Sequence, residues 1–208
     1  SALYGARAAN GVILITTKSG KAREGMGISF NSNFTVDTVI DQTDFQREYG
    51  QGVDGEKFTN VTDAKDRSFY RWGPKFDGTN VIQFDGVSRP YTDLGYEMKD
   101  FYEPTYTFNN SIAFSGGNET GNYRLAISDL RNNDMIPNSK FNRNTVNLSV
   151  NSKLEKLTIN SSINYTIQEG VNRPRVSDLP GNTNFTAMFA PLNVPLEAYM
   201  GSTGKIGA

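Results

Sequence analysis

The sequence predicts an all-β chain of the transmembrane-barrel kind, an antiparallel sheet with one apolar and one polar face. Three observations carry that expectation. Residues alternate with period two in five stretches, the polar partners are mainly Asn, Ser and Thr, and long connections take turns with short ones. Period two is the mark of a strand whose two faces meet different surroundings. A face of Asn, Ser and Thr with few charges suits a wet interior, where hydrogen bonding suffices. A soluble sheet usually carries more Lys and Glu on its outward face, because these keep it dispersed and discourage edge pairing.

The opening residues follow a different rule. Small helix formers up to Ala9 give way at Asn10-Gly11 to Val12, Ile13, Leu14 and Ile15, an apolar run without alternation. Asn-Gly supplies the positive-φ residues that end a helix, and the run behind it reads as a short strand buried on both faces. About twenty such residues close no core alone, so residues 1–20 are expected to belong to a domain whose main part lies upstream. Residues 21–26 then read as a linker.

From Gly27 onward, Ile28, Phe30, Ser32, Phe34 and Val36 oppose Ser29, Asn31, Asn33 and Thr35. After a long acidic connection at about 37–104, Tyr106, Phe108, Asn110, Ile112 and Phe114 oppose Thr107, Asn109, Ser111, Ala113 and Ser115. Residues 115–122 read as a short turn. Tyr123, Leu125 and Ile127 mark a third strand, and Val146, Leu148 and Val150 a fourth. The fifth is the clearest, with Leu157, Ile159, Ile163, Tyr165 and Ile167 opposing Thr158, Asn160, Ser162, Asn164 and Thr166. Each stretch is near the roughly 9 to 11 residues that cross a bilayer at a tilt. Long connections at 37–104 and from 169 alternate with short ones at 116–122 and 152–156 once the medium loop at 132–141 is counted as the middle external one, as external loops alternate with internal turns in outer-membrane barrels. The expected arrangement is five strands over 27–168, with a further external loop beginning at 169–208.

Composition narrows the chemistry. The chain of 208 residues contains neither Cys nor His, which removes disulfides, thiolate nucleophiles, His-dependent triads and nearly all zinc sites; no cofactor or metal is expected, and the chain is not expected to be an enzyme. A net charge of -1 gives no general attraction to nucleic acid. Mean hydropathy is -0.51, yet barrels leave no long apolar run, since only alternate strand residues face lipid. Charge is uneven: residues 37–103 hold 14 Asp and Glu against 8 Lys and Arg.

Candidate sites weigh differently against their plain structural explanations. Gly50-Gln-Gly-Val-Asp-Gly55 has the spacing of a dinucleotide-binding turn, which needs a strand before it and a helix after it. The polar, helix-like Asp44 to Tyr49 precedes it, so a turn-rich surface loop is expected. Asn-x-Ser/Thr triplets such as those at Asn33, Asn109-Asn110-Ser111, Asn147, Asn160 and Asn164 fall inside strands and follow from their composition. In Phe69-Tyr-Arg-Trp-Gly-Pro-Lys-Phe76, the aromatics Phe69, Tyr70, Trp72 and Phe76 either stack on a sugar or grip a peptide, or pack the long loop onto its surroundings. Tyr91, Tyr96, Phe101, Tyr102 and Tyr106 are candidates for an outer aromatic girdle.

Tyr4-Gly-Ala-Arg-Ala-Ala-Asn-Gly-Val-Ile-Leu-Ile-Thr-Thr-Lys18 resembles the end of the plug domain in SusC/RagA-type TonB-dependent outer-membrane transporters. Asn109-Asn-Ser-Ile-Ala-Phe-Ser-Gly-Gly117, Asn122-Tyr-Arg-Leu125 and the Phe69 to Gly78 stretch are similar to the family as well. The resemblance implies the last helix and strand of an α+β plug, with Val12, Ile13, Leu14 and Ile15 as the plug strand, followed by the N-terminal part of a 22-stranded barrel. It implies import of oligosaccharides or oligopeptides across a Gram-negative outer membrane of the Bacteroidetes type, with loops at the cell surface. The implied partners are a SusD-like surface lipoprotein, TonB acting through the plug, and outer-membrane lipid. The rival readings are a secreted or surface β-sandwich adhesin that binds glycans, and a glycan hydrolase needing paired carboxylates.

Overall fold

The computed structural model describes residues 18, 20, 23–175, 182–196 and 198–199. The expected plug strand, Val12 to Ile15, lies outside the described residues. Five long strands dominate: β1 (Arg23–Asp37), β4 (Thr105–Gly117), β5 (Gly121–Asn133), β6 (Lys140–Leu154) and β7 (Leu157–Val171). They form one sheet in the order β1-β4-β5-β6-β7. Each runs further than its alternating core, because small and charged residues at the ends keep pairing where the hydrophobic pattern has stopped. Thus β1 begins at Arg23, inside the expected linker, and only residues 118–120 separate β4 from β5. Between β1 and β4 lie the helix α1 (Val61–Asp66) and a hairpin of β2 (Asn80–Ile82) and β3 (Ser88–Pro90); helix α2 (Thr183–Phe189) follows β7.

Side-chain contacts give the strand directions. Asn132, near the end of β5, donates to Thr107 Oγ1, near the start of β4, at 2.8 Å. Asn151 near the end of β6 donates to Asn122 near the start of β5 at 2.8 Å, and Thr145 early in β6 meets Thr166 late in β7 at 3.3 Å. Each pair joins opposite ends of neighbouring strands, as antiparallel pairing requires. All six side chains are polar. The opposite face carries aromatic contacts, with the Phe34 ring 4.6 Å from that of Phe108.

The chain divides into two compact units. One comprises Ser1–Asn31, Asn110–Ser128 and Asn144–Ile167; the other comprises Ser32–Asn109, Asp129–Arg143 and Gln168–Ala208. In the first, the described residues are almost all strand, and most large side chains of the apolar face stay exposed, Ile163 at 58% among them, while Ile112, Phe114, Leu125 and Leu148 are half-buried. The second holds nearly all of the buried core, including Phe58, Val81, Tyr91, Phe101, Leu192 and Val194. Hydrophobic burial therefore stabilises the long connections, and the strands leave most of their large apolar residues open to the surroundings.

Local chemistry explains the small elements. Asp54 (φ 53°) and Gly55 (φ 80°) form a two-residue hairpin turn between Val53 and Glu56, the backbone that Asp-Gly adopts most easily. Asn60 caps α1 by accepting from the Asp63 N–H at 2.9 Å, a bond of about 1 kcal/mol. The β2-β3 hairpin turns at Asp85-Gly86, and Pro90 sits at its end, where a missing N–H costs no ladder bond.

The expected helix-like stretch Asp44 to Tyr49 is not helical. Gln46 Oε1 accepts from the Glu48 and Tyr49 N–H groups at 3.0 and 2.9 Å, and its Nε2 donates to the Tyr49 carbonyl. A side chain thus makes the bonds that a helix would have made with its backbone.

Candidate functional site: an aromatic groove in the long loop

The site begins with a glycine-lined spine. Tyr91 is wholly buried, and its hydroxyl donates to the carbonyls of Gln51 at 2.9 Å and Pro74 at 3.3 Å. A Cβ on Gly50 would overlap the Phe76 and Tyr91 rings, and one on Gly73 would overlap the Tyr91 hydroxyl and the Gln51 carbonyl. The bareness of these glycines lets the segments around residues 50–52 and 70–75 pair directly, with Gly52 N–H donating to the Tyr70 carbonyl and Trp72 N–H to the Gly52 carbonyl, both at 3.1 Å. The Gly50 to Gly55 stretch, expected as a turn-rich surface loop, is therefore buried at Gly50, Gln51 and Gly52. Its glycines serve close backbone approach.

Phe76 meets Tyr91 edge to face at 5.2 Å, and Lys57 Nζ lies 4.5 Å from the Tyr91 ring centre. Aromatic contacts of this kind add about 0.5–1.5 kcal/mol beyond area burial. Lys57 also donates to both Asp77 carboxylate oxygens and to Thr79 Oγ1, each at 2.6 Å. The Lys57 bond first, then the Thr79 N–H and hydroxyl, hold the Asp77 carboxyl at about 2, below its ordinary 3.8. A depressed carboxylate stabilises the fold fully above its unfolded value and ceases to do so as pH falls through the folded one. Protease resistance of the 37–104 loop is accordingly expected to fall between about pH 4 and pH 2, and Asp77→Asn should flatten that part of the profile; an unchanged profile would remove Asp77 as the cause.

The segment from α2 to Val194 docks on this spine. Arg71 donates from Nε to the Phe189 carbonyl at 3.1 Å and from Nη2 to the Met188 carbonyl. Those carbonyls end α2, where unsatisfied acceptors collect and a cation is favoured. Burial draws the Arg71 guanidinium below its ordinary pKa, and its face lies 5.0 Å from the Phe45 ring centre. Asn193 accepts from the Gln51 N–H at 2.8 Å through Oδ1 and from Gln83 Nε2 through its carbonyl. Tyr96 donates to the Pro191 carbonyl at 2.6 Å, and burial pushes its phenol well up.

Between spine and docked segment lies an open groove of about 690 Å³, lined by Phe45, Tyr49, Phe69, Tyr70, Arg71, Trp72, Met188 and Phe189, together with Gln46 and Gly73. Trp72 is 76% exposed and Tyr70 50%. Of the four residues expected as contacts, Phe69, Tyr70 and Trp72 line the groove, whereas Phe76 lies against Tyr91. Phe45 and Tyr49 escaped notice because they sit in the stretch read as a polar helix. Met188 and Phe189 come from more than a hundred residues away in sequence, so no local spacing signals them.

The expected girdle is corrected as well. Tyr91 and Phe101 are buried in the loop core, and the Tyr96 and Tyr102 hydroxyls bond to Pro191 and Asn184. Tyr106 alone of the five stays exposed on a strand, 6.3 Å from Phe34. Among the described residues no three of His, Cys, Asp or Glu gather to hold a metal ion, and no helix is long and apolar enough to cross a membrane, which says nothing of strands.

No family model matches the chain. It is 23% identical over 154 residues to TonB-dependent receptor SusC of Bacteroides thetaiotaomicron, covering 72% of this chain and 13% of that receptor. It is also 23% identical over 146 residues to TonB-dependent receptor P3 of Formosa agariphila, covering 70% of this chain and 12% of that receptor. The chain thus spans only about an eighth of the length of the curated relatives it matches. Motif, alternating strands and alignment point the same way: the chain is similar to a segment of SusC-type TonB-dependent receptors.

Proposed function

We propose that the chain forms the first strands of the barrel of a TonB-dependent importer in the Gram-negative outer membrane. The carrying observation is a sheet whose apolar face stays exposed in large residues while its other face is joined by Asn and Thr side-chain bonds. Lipid satisfies the first face and a watery lumen the second. A sandwich would instead cover the apolar face with another sheet, and the second sheet among the described residues has two strands of three residues each.

In this reading the unaligned remainder of the receptor closes the barrel, and residues 1–20 complete a plug through which TonB acts. The 37–104 loop then lies at the cell surface. Its groove, with Trp72 and Tyr70 presented to solvent, contacts an oligosaccharide or oligopeptide, and a SusD-like lipoprotein closes over the mouth. No bond is made or broken; binding and plug movement perform the work.

Extraction of the full-length protein tests the reading. It should need detergent and should migrate faster on gels unboiled than boiled. Solubility without detergent, with identical migration under both conditions, would favour the adhesin and overturn the importer.

A further inference from the structure

Charge is distributed unevenly along the outward faces of the strands. In the unit containing Asn110–Ser128 and Asn144–Ile167, the described side chains on that face include Phe30, Phe114, Leu125, Ile127, Val146 and Ile163 and no charged residue. In the unit containing Asp129–Arg143 and Gln168–Ala208, the same alternation places Asp129, Arg131, Lys140 and Glu169 on it. Asp129 and Arg131 confirm the parity, since they form a 3.0 Å ion pair two residues apart on one strand, which requires a shared face. In that same unit Phe34 packs against Phe108 at 4.6 Å and Tyr106 at 6.3 Å.

Strand length points to the same division. β6 and β7 have 15 residues each, but a tilted strand crosses the hydrocarbon in roughly 9 to 11. On β7, Leu157 to Ile167 fills that length, and Glu169 and Val171 remain.

We propose that the outer edge of the hydrocarbon crosses β5 between Ile127 and Asp129, and that the strand ends beyond it stand among phosphate-bearing lipid headgroups. Asp129, Arg131, Lys140 and Glu169 face that layer, and Phe34, Tyr106 and Phe108 anchor at its edge, where aromatic rings meet both apolar and wet surroundings. Charges below this line would be stripped of water without a partner; above it, headgroups and solvent receive them. The mixed signs fit a zwitterionic or cation-bridged headgroup layer better than a uniformly anionic one. The inference rests on the barrel reading and adds to it where the bilayer lies.

The chain has no cysteine, so single cysteines can report depth. The full-length receptor, made cysteine-free and reconstituted in phosphatidylcholine vesicles, would carry a bimane label at Leu125→Cys, Ile127→Cys or Val146→Cys, and separately at Arg131→Cys or Glu169→Cys. Nitroxides on the lipid acyl chains should quench the first group several-fold more than the second, and aqueous iodide should quench in the reverse order. Two strands are sampled on each side of the line, so one misfolded variant leaves the comparison intact. Acyl-chain quenching at Arg131→Cys and Glu169→Cys equal to that at Leu125→Cys would overturn the proposed edge while keeping the barrel. Absence of acyl-chain quenching at every position would sink the barrel reading itself.

Discussion

Ile163→Arg is expected to stop the full-length protein from assembling in the outer membrane, while Asn160→Arg and Asn164→Arg assemble nearly as well as the parent. Ile163 lies on the apolar face of β7 and is 58% exposed; Asn160 and Asn164 lie on the face that Thr166 shares with Thr145. An arginine at the depth of Ile163 must leave water on a strand with no carboxylate on that face nearby, at about 2–4 kcal/mol near the midplane. At about 1.4 kcal/mol per factor of ten, that lowers the assembled fraction by tens- to hundreds-fold in a marginally stable case. The polar face pays no such penalty if it lines water. The fraction of protein showing the heat-dependent gel shift measures the difference, with Ile159→Arg as a second position on the apolar face. Equal losses on both faces would mean that the face assignment is wrong.

Tyr91→Ala is expected to unravel the 37–104 loop and its groove while leaving the strands in place. The ring is wholly buried, and removal of a buried aromatic costs about 3–5 kcal/mol. Its hydroxyl also satisfies the Gln51 and Pro74 carbonyls, which flank the segments bearing Tyr49 and Trp72. Burial has raised the phenol to about 12, so the neutral, donating form is the one present at ordinary pH. Limited proteolysis of the intact receptor in detergent should cut within the loop far faster than in the parent, and the heat-dependent gel shift should persist. Tyr91→Phe keeps the ring and loses the two hydroxyl bonds, for a smaller loss of about 1–3 kcal/mol. Unchanged cleavage in Tyr91→Ala would show that the loop is held together elsewhere.

The two predictions fall on parts of the molecule that differ in how far they can be read from residue order. The strands are legible because their signal is local: Leu157 to Ile167 alternates without interruption, and parity alone assigns each side chain a face. The ends of the strands are less legible, because Asp129 and Arg131 break the hydrophobic pattern while the backbone goes on pairing. The loop is legible only in composition. Phe69, Tyr70 and Trp72 stand out as an aromatic cluster, but whether each one stacks inward or opens to solvent depends on Tyr91 and on the 182–194 segment. Phe76 and Trp72, four residues apart, end with opposite roles for that reason.

The same distinction separates the glycines and tyrosines. Gly50 to Gly55 has the spacing of a phosphate-binding turn, yet the demand for a bare backbone at Gly50 comes from the rings of Phe76 and Tyr91, the latter forty-one residues away, which stand where a Cβ would go. Tyr91, Tyr96 and Phe101 stand close enough to β4 in sequence to suggest a girdle, and tertiary packing draws them into the loop core instead. Residue order by itself determined the β class, the two-faced strands and the similarity to SusC-type receptors, because period and motif act over a few neighbouring residues. Only the tertiary structure decided where the buried core sits, which aromatics form the groove and how Arg71 holds its far wall, because those outcomes depend on chain segments that meet across more than a hundred residues.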